Sequence, residues 1–93
     1  MNIHIIDLQY LVNEEEVAKV RPAHREFLDS GYKNSIFIAS GPKADRTGGV
    51  ILAKGDLEEI KVFIKNDPFH SENIATYSFS SFDAVKYIPE INI

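Results

Sequence analysis

The chain contains no cysteine and no tryptophan. Without cysteine there is no disulfide, no thiol nucleophile and no thiolate metal ligand. Small secreted domains usually carry disulfide staples, so this absence predicts a reducing, cytoplasmic setting. A dense basic cluster is also missing: ten Lys and Arg residues are scattered between Lys19 and Lys86, and the net charge is −4. Nucleic-acid binding needs a basic face to neutralise phosphates, so nucleic acid is not an expected partner. No apolar run approaches the ~20 residues of a membrane-spanning helix, and none is expected. The first residues read as a strand rather than a signal peptide. Low-complexity segments, long linkers and solenoid repeats are absent as well.

What remains is ordinary globular material. The 93 residues are 44% hydrophobic and 26% charged, which predicts one domain over residues 1–93. A chain of this size buries about 60–65% of its surface, so covering an exposed sheet face by self-association would help it. Residues 3–11 form the first predicted strand. Ile6, Leu8 and Tyr10 share one face with His4, and Ile3, Ile5 and Leu11 share the other with Asp7 and Gln9. Apolar residues on both faces predict a sheet covered by helices on one side and by a partner on the other.

Residues 13–33 are helical in character, but Pro22 removes a backbone donor and disfavours α geometry in Arg21. The expectation is a short lead-in over 14–20 and a main helix starting near Pro22, with Gly31 as its C-terminal signal. His24, Phe27 and Leu28 then lie on one helical face, which turns His24 toward the sheet or its margin. Residues 35–41 read as a second strand halted by Gly41-Pro42, 43–49 as a polar loop, and 49–54 as a third strand. Asp56 with Glu59 three residues on is a capping-box pattern for a second helix with the apolar stripe Leu57, Ile60, Phe63 and Ile64. That helix must end before Asp67-Pro68. Residues 74–82 form a fourth strand, and Pro89 limits the tail over 83–93 to an extension of it or a short extra piece. The order β-α-β-β-α-β is the α+β, ferredoxin-like pattern: a four-stranded antiparallel sheet with both helices on one face. Homodimerisation is the economical cover for the open face.

His24 and Asp67 carry the clearest chemistry. Histidine exchanges a proton near neutrality without heavy tuning. A carboxylate bonded to one ring nitrogen fixes the tautomer and supports the imidazolium formed at the other. Asp67 precedes Pro68, which biases it to an extended conformation outside the helix. The plainer readings are a partly buried histidine bonded to backbone and an aspartate that ends a helix. Asp7 and Gln9 either line the same cleft or form a solvated strip at a sheet edge, the second being the ordinary case. Ser40 can bond a ligand, but no Gly-x-Ser-x-Gly elbow surrounds it, which argues against a nucleophile. Arg21 suits an anionic group, or is a solvated helix-start residue. His70 lies three residues from Asp67 and is a rival partner for that carboxylate. His4, His70, Asp7, Asp67 and Glu72 show no metal-ligand spacing, so no metal is expected. Gly48-Gly49 lacks a following Lys-Ser/Thr and reads as a tight turn rather than a phosphate loop.

Four stretches occur in order between residues 21 and 69: Arg21-Pro22-Ala23-His24, Ala39-Ser40-Gly41-Pro42, Gly48-Gly49 and Asn66-Asp67-Pro68-Phe69. With them the chain resembles the YciI-like family of small dimeric α+β barrel proteins. The resemblance implies a homodimer and a pocket lined by a His-Asp pair, whose positions His24 and Asp67 match. One branch of that family is linked to dehydrochlorination of aromatic ring compounds, an activity not carried over to this chain. The resulting expectation is a cofactor-independent acid-base enzyme of lyase, isomerase or hydrolase type acting on a small organic molecule. His24 would be the base or acid, Asp67 its orienter, and Arg21, Ser40 and Asp7 binding residues. The alternative is a non-catalytic dimer that binds a small ligand or a partner. Haem-degrading or quinol monooxygenases of similar architecture are disfavoured, because the haem-degrading type uses a tryptophan that this chain lacks.

Overall fold

The computed structural model describes residues 1–91. Strand β1 (Asn2–Tyr10) is followed by helix α1 (Glu14–Lys33), strands β2 (Phe37–Pro42) and β3 (Gly48–Lys54), and helices α2 (Leu57–Ile64) and α3 (Pro68–Ser71). Strand β4 (Ala75–Asp83) and a 3₁₀ turn, Pro89–Ile91, complete the order. The sheet runs β2-β3-β1-β4 with every pairing antiparallel, an α+β ferredoxin-like arrangement. The tail thus adds a short turn, and its residues 92–93 lie outside the described residues.

Alternation in β1 sorts the two faces. Residues paired across an antiparallel ladder share a face, so Ile6 stands beside Ile51 and Phe79, and Leu8 beside Gly49 and Tyr77. Ile6, Leu8 and Ile51 are buried under the helices together with Val17, Phe27, Ile60, Ile64 and Phe69. Burying each such Leu, Ile or Phe contributes about 1.5–3 kcal/mol, which fixes the register, because a one-residue slip would turn this set to the other face. The opposite face carries Ile5, Asp7 and Gln9 beside Leu52, Val50 and Gly48. Among the described residues no helix lies over it.

Helix α1 corrects the expected break at Pro22: it is one helix of 20 residues with Pro22 inside. Interior proline costs about 3 kcal/mol. Val17 before it and Phe27 after it are both buried in the same core, and two such burials outweigh that cost. The start is also reinforced. The Asn13 side chain accepts from the Glu16 amide at 3.0 Å, and Glu14, Glu15 and Glu16 face the positive end of the helix dipole. Gly31 is not the helix terminator. It lies within the last turn, where a Cβ would collide with the Phe37 ring, and the cap is Asn34. Gly48 is likewise more than a turn residue, since a Cβ there would strike the Leu8 carbonyl across the ladder. Asp56 caps α2 as its position suggests, accepting from the Glu59 amide at 3.0 Å. Helix α3 was not expected; Asp67 caps it and Pro68 occupies its first turn. Among the described residues no helix is long and apolar enough to cross a membrane.

Candidate functional site

Asp67 sits where α2 hands over to α3, with φ −68° and ψ 123°. This is the extended geometry that a following proline favours, and it aims the carboxylate inward. The residue is fully buried. A buried carboxylate must be surrounded by donors, and three are present. Oδ1 accepts from the Phe69 amide at 2.9 Å and from His24 Nδ1 at 2.8 Å, while Oδ2 accepts from the Tyr77 hydroxyl at 2.6 Å. Burial first, and then the bond to Asp67, push the Tyr77 phenol far up, so Tyr77 stays protonated and donating. The three donors come from α3, α1 and β4, and Asp67 ties those elements together.

His24 projects from the middle of α1, and its side chain retains 12% exposure. Its ring lies flat on Phe69, with centroids 3.9 Å apart and planes 6° apart, and Phe69 meets the Tyr10 ring edge-on at 6.0 Å. An ionised carboxylate only accepts, so the bond network assigns the proton to His24 Nδ1. Nε2 is then the acceptor of the neutral ring, and among the described residues nothing bonds to it. The arrangement is a proton acceptor of fixed tautomer and fixed ring plane.

His24 opens onto a cleft of about 600 Å³ between α1, the β2–β3 end of the sheet and Phe69. Leu8, Leu28 and Ile51 give it apolar walls, while Arg21, Arg25, Arg46 and Glu14 give it charge. Arg21, His24, Arg25 and Leu28 follow the i, i+3, i+4, i+7 spacing of one helical face. Arg21 Nη2 donates to Glu14 Oε1 at 2.7 Å, and this bond raises the guanidinium pKa still further. Ser40 lines the cleft with its Oγ 2.7 Å from the Tyr32 hydroxyl.

Of the residues singled out in the sequence, the fold brings His24 and Asp67 into direct contact and sets Arg21 and Ser40 on the same cleft. It does not bring Asp7 there. Asp7 lies on the uncovered face of the sheet, where Lys43 Nζ donates to its Oδ2 at 3.0 Å. His70 is not the partner of the Asp67 side chain; its ring stands 5.7 Å from that of Tyr77. His4 is buried elsewhere, between Ser81 Oγ and the Gly55 carbonyl, each at 2.7 Å. Among the described residues no group of three or more His, Cys, Asp or Glu could hold a metal ion. Sequence reasoning missed Tyr77, Phe69, Arg25 and Arg46. The alternation of β4 was a usable signal for Tyr77, since it shares the inward face with Phe79, and helical spacing set Arg25 on the face of His24 and Leu28; Arg46 gave no signal.

No curated protein matches the chain. Among solved structures, 5-chloro-2-hydroxyhydroquinone dehydrochlorinase (TftG) from Burkholderia phenoliruptrix AC1100, in complex with 2,5-dihydroxybenzoquinone, superposes with a TM-score of 0.73. The alignment covers 87% of this chain and 93% of that one at 17% identity, a likeness of fold. The YCII-related domain profile matches residues 2–83, and the chain therefore belongs to the YCII-related family.

Proposed function

We propose that this chain, a single domain over its whole length working in the cytoplasm, uses its cleft to move a proton on a small organic molecule without a cofactor. His24 Nε2 is the acid-base group. Asp67 is a positioning residue that holds the ring by Nδ1. One observation carries the reading: a cleft-lining imidazole bonded through one nitrogen to a buried carboxylate, with the other nitrogen unpartnered among the described residues.

In the forward step the Nε2 lone pair takes a proton from a C–H or O–H of the substrate. The electron pair left behind forms a double bond and expels a leaving group as its anion, or the proton is returned to another carbon. The first course is elimination and the second isomerisation. The imidazolium formed on the way keeps its Nδ1 bond to Asp67 and then returns its proton to solvent or product. Positioned proton transfer of this kind contributes about 10²–10⁴-fold. The dehydrochlorinase of similar fold favours the elimination course. We further propose that the working form is a homodimer, in which a second copy covers the sheet face bearing Ile5, Val50 and Leu52, with half-exposed Phe82 at its margin.

A screen of halogenated and hydroxylated small aromatics, read by halide release and by solvent-deuterium exchange, tests this. Turnover that falls at least about 100-fold in His24→Gln is the expected result. A ligand bound in the cleft and recovered unchanged, with no exchange, would replace the enzyme by a binding module.

A further inference from the structure

Every arginine of the chain, Arg21, Arg25 and Arg46, lines this one cleft, and none of its seven lysines does. The only other full charge among the lining residues is Glu14. A protein of net charge −4 has therefore gathered guanidinium groups where its candidate base stands. Arg21 is committed, since it is bonded to Glu14. Arg25 and Arg46 make no side-chain hydrogen bond or ion pair among the described residues. They approach from different elements: Arg25 is adjacent to His24 on α1, and Arg46 lies on the loop between β2 and β3.

Arg46 is held there by unusual backbone geometry. Its φ is +63°, the left-handed region in which a residue with a Cβ is strained by about 1–2 kcal/mol. The loop holds that geometry with local bonds. Asp45 Oδ1 accepts from the Thr47 amide at 3.1 Å and from the Thr47 hydroxyl at 2.7 Å, and the Arg46 amide donates to the Lys43 carbonyl at 2.9 Å. Glycine would occupy this position without strain. A long cationic side chain at such a strained position, lining the cleft and without a side-chain partner among the described residues, fits a binding role.

We propose that the cleft is selective for an anionic substrate, a compact apolar body bearing a carboxylate, with Arg25 and Arg46 as the residues that bind the anionic group. Planar guanidinium matches a carboxylate with paired N–H···O bonds, which ammonium does not offer. The apolar walls and the flat Phe69–His24 stack accommodate the body of the ligand. Anchoring the anion between α1 and the β2–β3 loop presents the rest of the molecule to His24 Nε2. Arginine beside the reacting carbon also stabilises the enolate-like charge that proton abstraction creates. The inference names the substrate class of the acid-base site proposed above and rests on that reading only for the reaction, not for the binding.

Binding of benzoate, with benzamide as the neutral isostere, is followed by NMR through the Arg Nε–Hε signals and the backbone amides of residues 24, 25 and 46. Benzoate is expected to bind about tenfold or more tightly than benzamide, with an affinity that falls as salt rises. Arg46→Gly relieves the backbone while removing the charge, so the fold survives; it and Arg25→Ala are each expected to weaken benzoate several-fold or more. Arg46→Lys is expected to recover part of the loss. Equal binding of benzoate and benzamide, or native affinity in both arginine variants, overturns the proposal. His24→Asn separates the two readings. Arginine-dependent binding without any turnover leaves the anion site standing and removes the acid-base step, whereas turnover of neutral substrates that ignores both arginines does the reverse.

Discussion

Two of the three histidines, His4 and His24, are packed into the fold, and they are used differently. His4 is buried in the sheet with both ring nitrogens engaged, one by Ser81 and the other by the Gly55 carbonyl. A carbonyl only accepts, so in the neutral ring Nε2 carries the proton and Nδ1 accepts from the Ser81 hydroxyl. Its whole capacity goes into joining β1, β4 and the turn after β3. His24 has its Nδ1 held by Asp67, and among the described residues nothing bonds to its Nε2. Burial alone does not separate a structural histidine from a chemical one. What the second nitrogen does separates them.

That contrast predicts a graded set of losses. The largest is at Asp67. Asp67→Ala leaves the Tyr77 hydroxyl, the Phe69 amide and His24 Nδ1 without their acceptor, and a stability loss of about 3–5 kcal/mol in urea unfolding is expected. His4→Ala should cost about 2–3 kcal/mol, because Ser81 and the Gly55 carbonyl lose their partner in the interior. It should leave benzoate binding at the cleft unchanged, which His4 does not line. If His4→Ala weakens cleft binding as strongly as the arginine variants do, the division between the two histidines fails.

Tyr77→Phe comes next, at about 1.5–3 kcal/mol for one bond to a carboxylate. It also has a pH signature. Folding raises the Tyr77 pKa, so the folded chain keeps a proton that the unfolded chain releases above about pH 10. The stability held by this group is therefore complete below that pH and is lost as the pH rises beyond it. Urea midpoints should fall in the native protein above about pH 10 more steeply than in Tyr77→Phe. Parallel slopes would show that the phenol is not held by Asp67. The smallest stability effect belongs to His24→Gln, because Nε2 has no partner to lose and the glutamine amide can still donate to Asp67; a change within about 1 kcal/mol is expected.

Much of this arrangement is legible in the chain before it folds. The alternation of β1 gives the two sheet faces, Asp56 marks the start of α2, and the Asp67-Pro68 step gives the extended turn. These are local effects, each acting within one turn or one strand pleat. Pro22 misleads for the same reason: its cost is local, while Val17 and Phe27, which override it, are secured by the sheet. Helix α3 is too short for any periodicity to announce. The His24–Asp67 contact spans 43 residues of sequence, and neither residue type nor spacing demands it. The motifs shared with the family pointed to it. The arginines are the converse case: spread over the sequence as 21, 25 and 46, they look dispersed among the other cations until α1 and the β2–β3 loop close on one cleft.

The tautomer of His24 decides whether its Nε2 can accept a proton in the cleft. Long-range ¹H–¹⁵N correlation of the imidazole nitrogens at about pH 9, where ordinary imidazoles are neutral, reports it directly. The predicted result is a protonated Nδ1 and a bare, pyridine-like Nε2 in His24, with the opposite tautomer, Nε2–H, in His4 of the same sample. An Nε2–H tautomer in His24 would mean that Asp67 does not hold Nδ1 and that His24 presents no proton acceptor to the cleft.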